Sequence, residues 1–248
     1  MIRTEKSDGI GTIIIDQPPI NALDIEHALA LRDALRELTS DDDVLLVLIR
    51  ATGRAFCGGA DIKHLADVHK RGTGETVLDV ARTMQQVYFE FENSPVPTLA
   101  VLHGVAVGAG LELALACDFR VASRVAKMGL PEAHLGLLPA AGGTQRLTRA
   151  VGRTVALRMI VLGELISGAD AQSYNLVQWA VAPEDLEGKV SEVVDVLRSI
   201  PRQVIKAARD CIGAAPDGFD VELRWMERLQ ESDDVWERLD KFIDGRRK

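Results

Sequence analysis

No stretch of these 248 residues is long and apolar enough to cross a bilayer. The most hydrophobic region, Pro97 to Cys117, is interrupted by His103, Gly104, Gly108, Gly110 and Glu112. Cysteine is scarce: Cys57, Cys117 and Cys211 are odd in number and far apart, so neither a disulfide framework nor a zinc site is expected. They read instead as small buried hydrophobes in a reducing cytosol. The five histidines (His27, His64, His69, His103 and His134) show no metal-ligand spacing, and no metal is expected. Positive charge is in deficit. A formal net charge of -8 argues against a nucleic-acid partner, and any anionic ligand must then be met by local cations. Met1 to Gly9 carries Arg3, Glu5, Lys6 and Asp8 without a following apolar segment, which argues against a secretory leader and for a cytoplasmic location. A G-x-x-x-x-G-K-[ST] phosphate loop is also lacking. The Gly108/Gly110 pair fails as a dinucleotide fingerprint because position 113 is Leu113 rather than glycine.

What is present reads as an ordinary globular chain, 47% hydrophobic and 27% charged. Ile10 to Asp16 is β-branched and short, a strand. Asp24 suits a helix N-cap before Leu31, Leu35 and Leu38 at helical spacing. Val44 to Ile49 and Pro97 to His103 are continuous apolar runs, as in strands buried on both faces. Thr76 to Glu92 and about Leu111 to Ala116 read as helices, and Asp118 to Ala122 and Lys127 to Gly129 as short strands. Ala51–Ala60, Gly104–Gly110 and the segment up to Gly143 read as glycine- or proline-rich loops, and Asp67–Glu75 as a mobile surface loop. After about Thr144 strand signals nearly vanish, and helices are expected near Arg153–Leu162, Asp170–Tyr174, Pro183–Ser199, Pro201–Ile212 and Val221–Phe242. Asn175 fits a left-handed helix stop. The order implies an α/β core with a helical C-terminal region, divided here as 1–195 and 196–248.

Two acids stand out. Glu112 is the only charged residue between Val105 and Cys117, and Glu132 is the only one between Met128 and Gly143. An isolated carboxylate is costly to bury, so each needs a partner or a job. Singly, each could pair with an arginine or cap a turn; together, beside glycine-rich loops, they point to acid–base chemistry. Both loops lead from a buried strand toward a helix, where unpaired backbone N–H groups face outward. Two such groups converging on one oxygen make an oxyanion hole. Phe56-Cys57-Gly58-Gly59-Ala60-Asp61, in which Asp61 can cap the next helix, and Gly108-Ala109-Gly110 are the candidates; plain turn chemistry is the alternative for either.

Ala55 to Leu65 (AFCGGADIKHL), His103 to Asp118 (HGVAVGAGLELALACD) and Leu130 to Leu147 (LPEAHLGLLPAAGGTQRL) together resemble the crotonase, or enoyl-CoA hydratase/isomerase, superfamily. The likeness extends upstream through Pro19-Ile20-Asn21-Ala22-Leu23 and downstream through Ile166 to Pro183, covering nearly the whole chain. The resemblance implies a spiral of ββα units with a helical C-terminal region that packs trimers, often stacked as hexamers. It implies a coenzyme A thioester substrate, with no cofactor beyond the coenzyme A that the substrate carries. Oxyanion-hole amides would come from Ala60 and Ala109, the latter standing where the family usually has glycine. Glu112 and Glu132 match the two acids of the hydratases, implying addition of water to a 2-enoyl-CoA, a step of fatty acid β-oxidation. An isomerase or other thioester enzyme using one glutamate, and a silent acyl-CoA-binding or RNA-binding relative, are the alternatives. Gly58, Ala60, Asp61, Ile62 and Lys63 resemble the family's coenzyme A-binding stretch, with Lys63 the nucleotide contact. Phe242 matches its adenine-stacking aromatic; the lysine usual three residues later is Gly245 here, leaving Arg246, Arg247 or Lys248 for the 3′-phosphate.

Overall fold

The apolar runs form the centre of a six-stranded sheet. In the computed structural model, which describes residues 1–71, 76–214 and 216–245, Leu46–Ala51 (β3) and Thr98–Leu102 (β5) lie side by side in parallel. Every residue of β5 is buried, as expected where both faces of a sheet are covered. Ile2–Ser7 (β1) and Ile10–Ile15 (β2) form an antiparallel hairpin whose second strand joins β3 in parallel. Phe119–Ser123 (β7) extends the other side, parallel to β5.

A second sheet holds three short strands, Ala55–Cys57 (β4), Val105–Val107 (β6) and Lys127–Gly129 (β8), parallel and in that order. Along the chain each long strand is followed by a short one: β3 by β4, β5 by β6, β7 by β8. After the first two pairs come helices: Ile62–Arg71 (α2) and Val77–Glu92 (α3), then Ala109–Ala116 (α4). This is the spiral of ββα units that the motifs imply. Ile166–Ser167 (β9) closes the small sheet antiparallel to β8, and Trp179–Val181 (β10) pairs with β7 to finish the large one.

Ile25–Thr39 (α1) starts where expected, with the Asp24 carboxylate accepting the His27 N–H at 2.9 Å. Thr76 and Asp79 form a reciprocal capping box at the start of α3. All eight residues of α4 are buried, so it is apolar all round apart from Glu112. Gly110 lets this helix approach β4: a Cβ there would stand 2.5 Å from the Cys57 carbonyl oxygen. At its far end the buried Arg120 donates to the Ala114 and Cys117 carbonyls at 3.1 and 2.7 Å, satisfying groups the helix leaves open. Gly143–Val161 (α5), Gly168–Ser173 (α6) and Leu186–Ser199 (α7) follow, and Asn175 has the expected positive φ of 61°.

Several expectations need correction. The segment from Asp67 is not loop throughout: α2 continues to Arg71, and residues 72–75 lie outside the described ones. Strand signals do not end at Thr144, since β9 and β10 follow. At two and three residues they are too short to show a period. The same brevity hid β4 and β6 inside glycine-rich stretches, and β1 went unread because its side chains are mostly exposed. Val221–Phe242 is not one helix but parts of two, Gly218–Leu229 (α9) and Asp233–Gly245 (α10), after Arg202–Gly213 (α8). The Trp236 indole N–H donates to the Gln230 carbonyl across that break, at 2.9 Å. The chain divides into two compact units, Met1–Asp195 and Val196–Lys248.

Candidate active site

The parallel order β4–β6–β8 brings three consecutive turns of the spiral to one sheet edge. Each short strand ends in a loop on the same side: Gly58 to Asp61 after β4, Gly108 after β6, and a 3-10 turn at Pro131–Leu135 after β8. Ligands in parallel α/β folds gather at this carboxyl end of the strands. Here the loops surround a cavity of about 370 Å³, within the usual size of a small-molecule site. Among the described lining residues only Glu112 and Glu132 are charged, and the rest are aliphatic residues, Met84, Pro131 and glycines.

The first loop is fixed from behind by Leu23, whose N–H donates to the Gly59 carbonyl while its own carbonyl accepts from Asp61 N–H. In this parallel bridge the flanking residues make the bonds, so the N–H of Ala60 points the other way. Asn21 holds the same region. Its side chain accepts from Gln17 N–H and donates to the Thr52 and Ala55 carbonyls at 2.9 and 2.8 Å. The second loop turns at Gly108, whose φ is 53°. Ala109 then begins α4 with an ordinary negative φ, so alanine in place of the family's glycine brings no backbone strain. As the first residue of a helix its N–H has no intrahelical acceptor. Its carbonyl accepts from the fully buried Tyr88 hydroxyl at 2.9 Å. The loops touch: a Cβ on Gly59 would lie 3.2 Å from the Val107 carbonyl and 3.8 Å from Ala109 N. Ala60 and Ala109 both line the cavity.

Glu112 sits in the first turn of α4 and is 3% exposed. Its Oε1 accepts the Gly143 N–H at 2.7 Å. Burial pushes its carboxyl up to about 7, against the pull of the Gly143 N–H; the nearby Glu132 raises it further, and Arg146 lowers it. Glu132 comes from the 3-10 turn. Its Oε2 is buried without a hydrogen-bond partner among the described residues, and desolvation raises its pKa also. Its Oε1 would lie 2.9 Å from a Cβ on Gly108, so the glycine makes room for it.

The sequence motifs did not single out the support behind Glu112. Gly143 is reached through a loop that the buried Arg146 organises. The Arg146 guanidinium donates to the Ala141 carbonyl at 2.9 Å and to Glu92 Oε2 at 2.7 Å, and it lies over the Phe89 ring. Arg146 does stand within the Leu130–Leu147 motif, but nothing in its spacing announces a contact with Glu92, on another helix.

Of the other expected site residues, Gly58 and Ile62 line the cavity. Asp61 accepts the His64 N–H at 2.9 Å, capping α2, and Lys63 is exposed on that helix. Phe242 is on α10 in the second unit, and Arg246 to Lys248 lie outside the described residues. Cys57 and Cys117 are buried, with thiols pushed up to about 12 by desolvation, and so behave as packing groups.

A model of the enoyl-CoA hydratase/isomerase family matches residues 5–248. The chain belongs to this family, the crotonases. A Bacillus subtilis relative of this crotonase, named probable enoyl-CoA hydratase, is 32% identical over 250 residues, covering 96% of the chain and 93% of that protein. Mouse mitochondrial methylglutaconyl-CoA hydratase is 37% identical over 206 residues, covering 82% of the crotonase chain and 64% of its own. The crystal structure of an enoyl-CoA hydratase from Bacillus anthracis matches the crotonase fold with a TM-score of 0.90 at 29% identity, over 98% of this chain and 96% of that one.

Two predictions follow from the buried acid. Between about 4.5 and 7 the folded crotonase retains a proton on Glu112 that the unfolded chain has released, so stability falls as pH rises through this window and stays lower above it. Glu112→Gln, which removes that titration, should therefore gain on the order of 3 kcal/mol over wild type at about pH 8 and lose the advantage toward pH 4.5. Urea unfolding at the two pH values measures this, and a pH-independent difference would refute it. Arg146→Gln should raise the Glu112 pKa further while Arg146→Lys, keeping the charge, leaves it nearer wild type. Carboxyl NMR titration distinguishes the pair; identical titrations in both variants would show that Arg146 does not act on Glu112.

Proposed function

We propose that this protein adds water to 2-enoyl-CoA thioesters, giving 3-hydroxyacyl-CoA. The observation that carries the reading is the pair of carboxylates, Glu112 and Glu132, as the only charged groups among the described residues lining one apolar cavity, which Ala60 and Ala109 also line. Family membership supplies the thioester, since several chemistries share this fold.

In this mechanism the N–H groups of Ala60 and Ala109 donate to the thioester carbonyl oxygen. Glu112, ionised, takes a proton from water as the water oxygen bonds to Cβ. The π electrons move toward the carbonyl, and the resulting enolate oxygen is held by the two amides. An oxyanion-hole donor of this kind contributes about 3–4 kcal/mol. Glu132, protonated, then delivers its proton to Cα. The proton gained by Glu112 returns to Glu132 before the next turnover. Hydrogen bonding favours this division of roles: the Gly143 N–H stabilises an anion on Glu112, whereas Glu132 Oε2 has no such donor among the described residues. Both acids have raised pKa values, as groups exchanging protons near neutrality require.

For the coenzyme A portion, this reading lays the pantetheine and nucleotide along Gly58–Lys63, with Lys63 toward the phosphates. No further cofactor takes part. Asp61, in the same stretch, caps α2.

Each of Glu112→Gln and Glu132→Gln should lower the rate of loss of conjugated enoyl absorbance by roughly 10²–10⁴-fold. A fully active variant would sink the assignment, and a product with a shifted double bond in place of a hydroxyl would make the enzyme an isomerase. We also infer self-association as trimers or hexamers. The second unit's helices expose Phe219, Leu223, Met226 and Trp236, apolar surface of the kind that marks an interface. Sedimentation should give a mass of three or six chains; a monomer at micromolar concentration would overturn this.

A further inference from the structure

The cavity has a closed end and an open one, and they differ in what lies beyond. Val77, Val80, Ala81 and Met84 line it from α3 at helical spacing. Exposure drops along this stripe, from 45% at Val77 to 3% at Val80 and 2% at Met84. One turn past Met84 stands Tyr88, fully buried and bonded to Ala109, so nothing can extend deeper along α3. At the open end the lining residues Leu78 and Leu138 are 62% and 69% exposed, and Leu135 is exposed too. They come from α3 and the segment after β8, so two separate pieces of chain contribute leucines to one rim, apart from the Gly58–Lys63 stretch. Single exposed leucines are ordinary, but a contiguous apolar rim on a cavity marks a surface meant to be covered.

We propose that this rim carries the outer part of a long hydrocarbon acyl chain, making Leu78 and Leu138 specificity-determining residues and a medium- to long-chain acyl-CoA the preferred ligand. The inference rests on the coenzyme A thioester reading of the same cavity. A short acyl group fits beside Glu112 and Glu132 without reaching the rim. Each added methylene cannot move past Met84 and Tyr88, so a lengthening chain must leave outward between the start of α3 and the 135–138 segment. There it covers the exposed leucines. A chain ending in a carboxylate is disfavoured, because the described lining residues offer no cation and already hold two acids. The phosphates of coenzyme A suit the rim equally badly.

Binding of saturated thioesters tests this without depending on the reaction catalysed. Each methylene that leaves water strengthens binding roughly fourfold, the equivalent of about 0.8 kcal/mol. By titration calorimetry, dodecanoyl-CoA should bind at least about tenfold tighter than butyryl-CoA, a minimum set well below the full gain. Leu78→Ser and Leu138→Ser should each reduce that ratio several-fold; both sites are exposed, so folding is preserved. Equal binding of the two thioesters, or ratios unchanged in both variants, would overturn the proposal. If the variants instead lower the sedimenting mass and leave the ratio intact, the rim is covered by a second copy and the proposal fails. Hydration is read separately, from product analysis: a dodecanoyl preference without 3-hydroxyacyl-CoA formation would refute the hydratase reading alone, whereas hydration without that preference would refute the rim alone.

Discussion

The site depends on three very short strands running parallel and side by side. β4, β6 and β8 have three residues each, too few to hold a sheet together unaided. They are positioned because each directly follows a long strand of the large sheet, whose own parallel pairing sets their spacing and order. Since neighbouring strands lie about 4.8 Å apart, the loops leaving β4 and β6 have to touch. That contact is what sets two backbone amides beside one cavity. The close fit of Gly110 against Cys57 belongs to the same constraint, for it lets α4 begin immediately behind the junction.

The electrostatics follow from this packing. An eight-residue helix buried on every side carries its one acid into a dry place, and burial, reinforced by the nearby Glu132, pushes the Glu112 carboxyl up to about 7. Opposing that shift is the Gly143 N–H, held by a loop tied to Arg146. Arg146 in turn is neutralised by Glu92. A chain of groups therefore runs from the largely buried Arg146–Glu92 ion pair through the Ala141–Gly143 loop to the buried acid. Glu132 Oε2 has no hydrogen-bond partner among the described residues, which leaves this buried oxygen in need of a ligand or water.

Much of this was legible in the chain. The long buried strands show as unbroken apolar runs, α1 as a cap followed by helical spacing, α3 as a helical stretch, and Glu112 and Glu132 as lone charges in apolar surroundings. The motifs around Ala60, Ala109 and Glu132 carry the family and with it the spiral. Less visible were β4, β6, β9 and β10, because two or three residues cannot display a period, and the split between α9 and α10, because an apolar pattern continues across it. Asn21, Tyr88 and Arg146 were missed as support for the site: Asn21 and Tyr88 act on backbone atoms far along the chain and Arg146 pairs with the distant Glu92 side chain, and neither residue type nor local spacing encodes those partners.

By itself, then, the sequence determined which groups are available: two acids, two glycine turns, and a family that handles coenzyme A thioesters. Those are local properties of residue type and order. Only the tertiary structure decided that both acids face one apolar cavity, that Ala109 escapes strain because Gly108 takes the positive φ, and that the cavity is closed at Met84 and open at Leu78 and Leu138. Burial, desolvation and the direction in which a cavity opens arise from segments distant in sequence meeting in space, and no single segment carries them.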